Sequence, residues 1–199
     1  MVKAHTILPA KRFPQFDGEW SEIRLGDIAK TVTSGSRDWA QYYAEEGSKF
    51  IRMTNLSRGG IQLLLEDLRF VKLDDDSSEG KRTSLAENDI LISITAELGK
   101  IGIVPSNFGT AYINQHTALV RLDFERADAR FVAHKLSSKS MNNKINRLND
   151  SGAKSGLNLP TIRSFPISVP TFPEQKKIAD FLTSVDDRIG QLIKKKALL

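Results

Sequence analysis

Three histidines, His5, His116 and His134, are the first side chains one would ask to do acid–base or metal chemistry. None sits in a metal-ligand spacing such as HxxxH, and no carboxylate pair accompanies them. There are no cysteines, so disulfides, thiolate catalysis and thiolate metal sites are all excluded. "GAKSG" approaches a phosphate loop, but Ala153 and Leu148 stand where that pattern needs its two glycines. No GxGxxG follows a strand, and GxSxG is absent, as are the Asn-Pro-Pro-aromatic signature of adenine methyltransferases and the Pro-Asp…Glu-x-Lys core of nucleases. The chain offers no active site, which favours a binding module over an enzyme; catalytic and metal-ligating residues are expected to be none.

What the sequence holds instead is recognition chemistry. Ser36, Arg37 and Trp39 share a loop with Asp38, expected to be exposed. "IRMTNLSRG" supplies Arg52, Thr54, Asn55 and Arg58; Asn114, Gln115 and His116 are contiguous; "NDSGAKSG" adds Ser151, Lys154 and Ser155. Arg pairs with guanine edges, Asn and Gln with adenine, and Ser or backbone amides with phosphates. Each type is common on any surface, but their concentration in Gly/Ser-rich loops is what a binding scaffold would show. The net charge of +5 and pI of about 9.4 favour a polyanionic partner, because neutralised phosphates release counterions.

The elements that must carry these loops read as one mixed α+β domain over residues 1–172, with a Pro-interrupted arm at 1–20. "EIRLGDIAKTV" reads as a short strand and a helical turn, "SKFIRMTNL" as a strand, and "DDDSSEGKR" as a solvated loop or helix start. Strands are expected over Asp89–Thr95 and Lys100–Val104, with "TAYINQHTALVRLD" as one further strand. "ARFVAHKLSSKSMNNKINRL" reads as one helix or two short ones.

After Pro173 comes a different pattern. Ile178, Leu182, Val185, Ile189 and Leu192 recur at spacings of four, three, four and three, a heptad seam broken only where Lys196 takes the next place. Residues 173–199 are therefore expected to form one long coiled-coil-type helix, for which two readings stay open: it packs back on its own domain, or it pairs with another helix. No apolar run is long enough to span a bilayer, and residues 1–20 lack the apolar core of a secretory signal, so a cytoplasmic location is expected.

The block "LNLPTIRSFPISVPTFPEQKKIADFLTSVDDRIGQL", with its Pro-Glu-Gln helix entry, resembles the specificity subunits of type I restriction-modification systems. "RFPQFDGEWSEIRLGDIAKTVTSG", "AENDILISITAELGKIGIVP" and "AYINQHTALVRL" look like the start and middle strands of that family's target recognition domain. The resemblance implies a non-catalytic subunit with two recognition domains set apart by two long antiparallel helices, each domain reading half of a split site in double-stranded DNA. It implies docking to methyltransferase subunits, which carry S-adenosylmethionine and modify adenine, and to a restriction subunit. This chain has one recognition domain and one helix, so the expectation is a half-subunit, natural or truncated, that forms a homodimer through the helix and binds no cofactor itself. The competing readings are an enzyme fragment (methyltransferase or nuclease) and a structural adaptor whose charge is incidental.

Overall fold

A computed structural model describes residue 9 and residues 11–73, 77–150 and 156–197. Two four-stranded sheets share a small core and are joined by an isolated bridge, and a pair of short strands ties the two ends of the body together. The chain enters through β1 (Ser21–Arg24), turns once through a short 3-10 segment, and continues as β2 (Ala29–Ser34). The sequence pattern predicts only the strand and the turn; the alternation Thr31, Val32, Thr33 is what carries the second strand, with Val32 buried and both threonines half-buried.

The first sheet adds β6 (Ile90–Ser93), β7 (Ile101–Ile103) and β9 (Thr117–Leu122) to β2, in the order β2-β9-β6-β7 with every pair antiparallel. The second contains β3 (Tyr43–Ala44), β4 (Ser48–Ile51), β5 (Arg69–Val71) and β8 (Ala111–Ile113), ordered β3-β5-β4-β8 with β4 and β8 parallel. The stretch expected to be one strand, "TAYINQHTALVRLD", is thus two strands in different sheets. Asn114 breaks it: its Oδ1 accepts the His116 amide at 3.2 Å, closing a turn that sends the chain from one sheet to the other.

Period-two alternation sorts the first sheet's side chains. Val32, Ile90, Ile92, Ala118, Val120 and Leu122 join the main core, and Leu91 and Leu119 point the other way into a smaller core with Ile51, Ala111 and Ile113 of the second sheet and Leu56 of the loop after β4. Covering the main core are α2 (Ala129–Ser137), α3 (Lys139–Asp150) and the start of α5 (Phe172–Ala197). The Asp128 carboxylate caps α2 by accepting the Phe131 amide at 3.0 Å. Two short elements absent from the sequence reading, α4 (Leu159–Arg163, capped by Asn158) and β10 (Pro166–Val169), follow, and α1 (Ser78–Thr83) sits in the stretch read as a loop or helix start.

β10 pairs antiparallel with β1, from Ser21 opposite Val169 to Arg24 opposite Pro166. Beside that pair, the buried Glu174 carboxylate accepts from Arg12 Nε and Nη2 at 2.7 and 2.6 Å and from Trp20 Nε1 at 3.4 Å. The arm is therefore clipped to the root of α5. Glu174, Gln175 and Ala179 are all buried, so the helix's first two turns belong to the body rather than to a separate segment.

Candidate nucleic-acid interface

β2 ends at Ser34, β6 ends at Ser93, and β7 and β9 begin at Ile101 and Thr117; the registers Ser34–Ala118, Ser93–Thr117 and Ile92–Ile101 set all four termini at one end of the first sheet. In the second sheet Ile51 pairs with Ile113, so Arg52 and Asn114 follow at the matching end of that parallel pair. A bridge between Ser36 and Asn114 then joins the two sheet ends, with the Gly35 amide donating to Thr117 O at 3.2 Å. A further bridge, Ser57 to Ile101, draws in the Arg58 loop. Segments far apart in sequence thus converge on one edge, and most of the residues singled out above lie on it.

Their roles divide. Arg37 and Thr54 are exposed and available to a ligand. Gln115 Nε2 lies 3.0 Å from His116 Nε2, and Thr95 Oγ1 lies 2.8 Å from His116 Nδ1. An amide nitrogen can only donate, so His116 Nε2 accepts and a neutral ring carries its proton on Nδ1, given to Thr95. The Gln115 carbonyl oxygen and the Thr95 hydroxyl proton take no part in these two bonds. Thr95 is not among the residues the sequence singles out; nothing in its context there distinguishes it. Its neighbour Ala96 has φ 55°, a left-handed backbone that an alanine adopts only when the surrounding loop imposes it.

Other members of the set hold the loops in shape. Trp39, expected in an exposed loop, is 4% exposed: its ring lies 4.6 Å from Phe50 and 5.7 Å from Tyr112, and these apolar neighbours outcompete solvent. The left-handed Asp38 (φ 62°) turns the chain so that Trp39 points inward. Asn55 is 1% exposed, accepting the Arg52 amide at 3.0 Å and donating to Leu64 O at 2.8 Å, so it staples a loop rather than facing a ligand. Arg52 gives Nη2 to the Asp67 carboxylate at 2.6 Å, and that contact holds the Asp67 pKa below the usual carboxylate range. Arg58 donates to Asn142 Oδ1 on α3 at 2.7 Å, and Asn142 in turn donates to Gly99 O. Ser36 is buried, with its hydroxyl accepting from Arg82 Nη2 at 2.5 Å. Arg82 escapes a reading of the sequence because it follows an acidic run that looks like solvated surface. Ser151, Lys154 and Ser155 lie outside the described residues; beyond them Leu157 is pinned by its amide to Ile94 O at 2.9 Å, next to Thr95.

The helix seam also divides. Ile178 packs on the main core and Leu182 is half-buried, whereas Val185, Ile189 and Leu192 are 39, 49 and 52% exposed. The first turns thus pack back on the chain's own domain, whereas these later apolar positions stay exposed on this chain. Phe181 and Ile193 widen the exposed apolar face. Among the described residues no group of three or more His, Asp or Glu side chains could hold a metal ion, and no helix is long and apolar enough to cross a membrane.

Residues 17–198 match the family model of the type I restriction modification DNA specificity domain. The specificity subunit of the type I restriction enzyme EcoBI from Escherichia coli is 26% identical over 169 residues, covering 80% of this chain and 33% of the relative. That of MjaVIII from Methanocaldococcus jannaschii is 22% identical over 192 residues, covering 94% and 44%. The chain thus spans less than half the length of these relatives. The HsdS subunit from Thermoanaerobacter tengcongensis superposes with a TM-score of 0.63 at 14% identity, over 96% of this chain and 42% of that one. The type I S subunit from M. genitalium gives 0.61 at 16%, over 92% and 43%, so the mixed α+β fold with a long terminal helix is shared. With its residues matched almost from end to end, the chain belongs to the type I restriction-modification DNA specificity domain family.

Proposed function

We propose that this chain is a DNA-reading half of a type I restriction-modification assembly, non-catalytic itself, which directs a partner adenine methyltransferase to one half of a split site. The observation that carries the reading is the convergence of Arg37, Thr54, Gln115 and His116 on one edge where the ends of two sheets are bridged. Such loops on a rigid sandwich can present base-reading groups at fixed spacing, and flanking arginines can take phosphates.

The exposed stripe of α5 supports a second part of the proposal: a two-fold pairing with another copy through Val185, Ile189 and Leu192. At 1.5 Å rise, the 26 residues of α5 extend about 39 Å, a little more than one DNA turn of about 34–36 Å. Two recognition domains held that far apart would read a palindromic, interrupted site, because protein symmetry is mirrored in its target. S-adenosylmethionine would sit on the methyltransferase subunit, a restriction subunit would join for cleavage, and the work would take place in the cytoplasm, where the DNA is.

The experiment is a methylome. The chain is expressed with its neighbouring methyltransferase in a methylation-free host, and modified adenines are mapped by single-molecule sequencing. A palindromic split motif is the expected result. Methylation of an asymmetric motif would remove the symmetric dimer while keeping DNA recognition; no motif, from this chain or from the full gene, would remove the reading altogether. Turnover of S-adenosylmethionine by the pure chain alone would instead favour an enzyme.

A further inference from the structure

β2 is an edge strand of the first sheet, and its Thr33, paired with Leu119, lies on the face turned toward the smaller core. There Thr31 and Thr33, opposite Arg121 and Leu119 of β9, form the floor of a basin of about 320 Å³. Lys81 and Arg82 from the last turn of α1, with Ser84, close the side. Among the described residues, three cations and three hydroxyls line this basin and no carboxylate does. The contrast with the larger cleft of about 620 Å³ beside α5 is informative, because that one mixes Glu87, Asp128 and Asp187 with Arg130 and Lys176.

The basin is built. Arg121 is held in place by the buried Asp89, which accepts from Nε at 2.8 Å and from Nη2 at 2.7 Å. Asp89 offsets the charge of that guanidinium, which leaves Arg82 as the arginine best placed to meet an anion. Arg82 faces both ways: its Nη2 bonds Ser36 of the loop cluster while its side chain lines the basin. A planar guanidinium has five donors in a fork, enough to hold a hydroxyl on one side and a tetrahedral anion on the other.

We propose that this basin seats a phosphate group, supplied by the DNA backbone when a duplex lies across the loop cluster. Thr31 would donate its hydroxyl proton to the phosphate oxygens, Thr33 would do so by turning its hydroxyl away from the Ser34 carbonyl that accepts it at 3.4 Å, and Arg82 would supply a charged fork, which fixes the register of the duplex relative to Gln115 and His116. The backbone source rests on the DNA reading given above; the phosphate chemistry of the basin does not.

The test has two arms, both on the full chain. In the first, inorganic phosphate is titrated against 15N-labelled protein at constant ionic strength. The amides of Thr31, Thr33 and Leu119 should shift with phosphate and not with chloride, and the shifts should vanish in Arg82→Ala. In the second, binding of a fluorescent duplex is followed across salt concentrations. Arg82→Ala and Thr33→Val are compared with the wild type after circular dichroism has verified their fold. Losing one phosphate contact should flatten the slope of log K against log salt by about 0.9 in Arg82→Ala, alike for cognate and scrambled duplexes, with Arg82→Lys retaining the slope. Thr33→Val should weaken both duplexes with the slope unchanged. If Arg82 merely positioned Ser36, the loss would be confined to the cognate duplex with the slope unchanged, and the proposal would be wrong. Phosphate-dependent shifts with an unaltered slope would overturn the backbone source. A wild type that binds no duplex removes the DNA reading; the phosphate arm then decides the basin alone, with shifts lost in Arg82→Ala keeping it as a site for free phosphate and no shifts eliminating it.

Discussion

Gly35 is the point where the two sheets are stitched together, and replacing it with alanine is a sharp perturbation of the interface. A Cβ built there would lie 2.2 Å from the carbonyl oxygens of both Ile113 and Asn114, backbone atoms that cannot swing aside as a side-chain tip could. Relieving that overlap means moving the β2 end away from β8 by roughly an ångström. The move breaks the Ser36–Asn114 bridge and the bond from the Gly35 amide to Thr117 O. Overpacking a tight site costs about 1–3 kcal/mol, and the lost Gly35–Thr117 hydrogen bond about 1 kcal/mol more, so a total loss of about 2–4 kcal/mol is expected. For a domain of this length that corresponds to a fall in Tm of roughly 5–15 °C. Differential scanning calorimetry would measure it, with Gly18→Ala as control, since nothing lies within 4 Å of a Cβ at Gly18. DNA affinity in Gly35→Ala, measured well below its Tm, should drop more for the cognate than for a scrambled duplex, because the loop spacing is what changes. A Tm within about 2 °C of the control would refute the stitching argument.

Three further perturbations address other parts of the molecule. Asn55→Ala leaves the part-buried Arg52 amide and Leu64 carbonyl without this partner, so chemical denaturation should report a loss of about 1–3 kcal/mol. Ile189→Asp puts a charge into the exposed stripe, and sedimentation velocity should show any dimer of the parent chain reduced to monomer; an unchanged mass would mean that this stripe is not the contact. His134 is depressed in pKa chiefly by burial, with Arg130 adding to the shift and Asp186 and Asp128 opposing it. Its unfolded form therefore binds more protons than the folded one near and below the usual histidine pKa of about 6.5. Stability should be full above that value and decline as pH falls through it, and His134→Gln should flatten the decline in a Tm series from about pH 7.5 to about pH 5.5.

Periodicity made the strands around Ile90 and Ile101 and the run of α5 legible, because each buries a face whose spacing is written in the sequence. Reading failed where tertiary neighbours decide. The stretch from Thr110 to Asp123 alternates like one strand throughout, and only the Asn114 turn reveals that its halves belong to different sheets. The polar character of the loops was legible, but which of their side chains stay exposed was not. Arg37 and Asn55 are equally polar on paper, yet one is exposed and the other is sealed inside its own loop. Arg82 and Thr95 carried no signal, since what selects them is a hydrogen bond to a residue far along the chain. The heptad seam left two readings open for α5, and what separates its apolar positions is tertiary: Ile178 meets the main core, whereas Val185, Ile189 and Leu192 stay exposed.

The clip between Arg12 and Glu174, with β1 laid against β10, brings the chain's entry into the body and its exit from it to the same place. A body closed in this way behaves as a cassette: chain can be spliced on at either end, at one spot, without disturbing the sheets between. Tandem duplication would then place a second recognition unit after the helix with no new packing problem, and exchange of the segment between β1 and β10 would transplant one set of reading loops into another copy. Under the function proposed above, changing which bases are read would thereby be separated from keeping the helix.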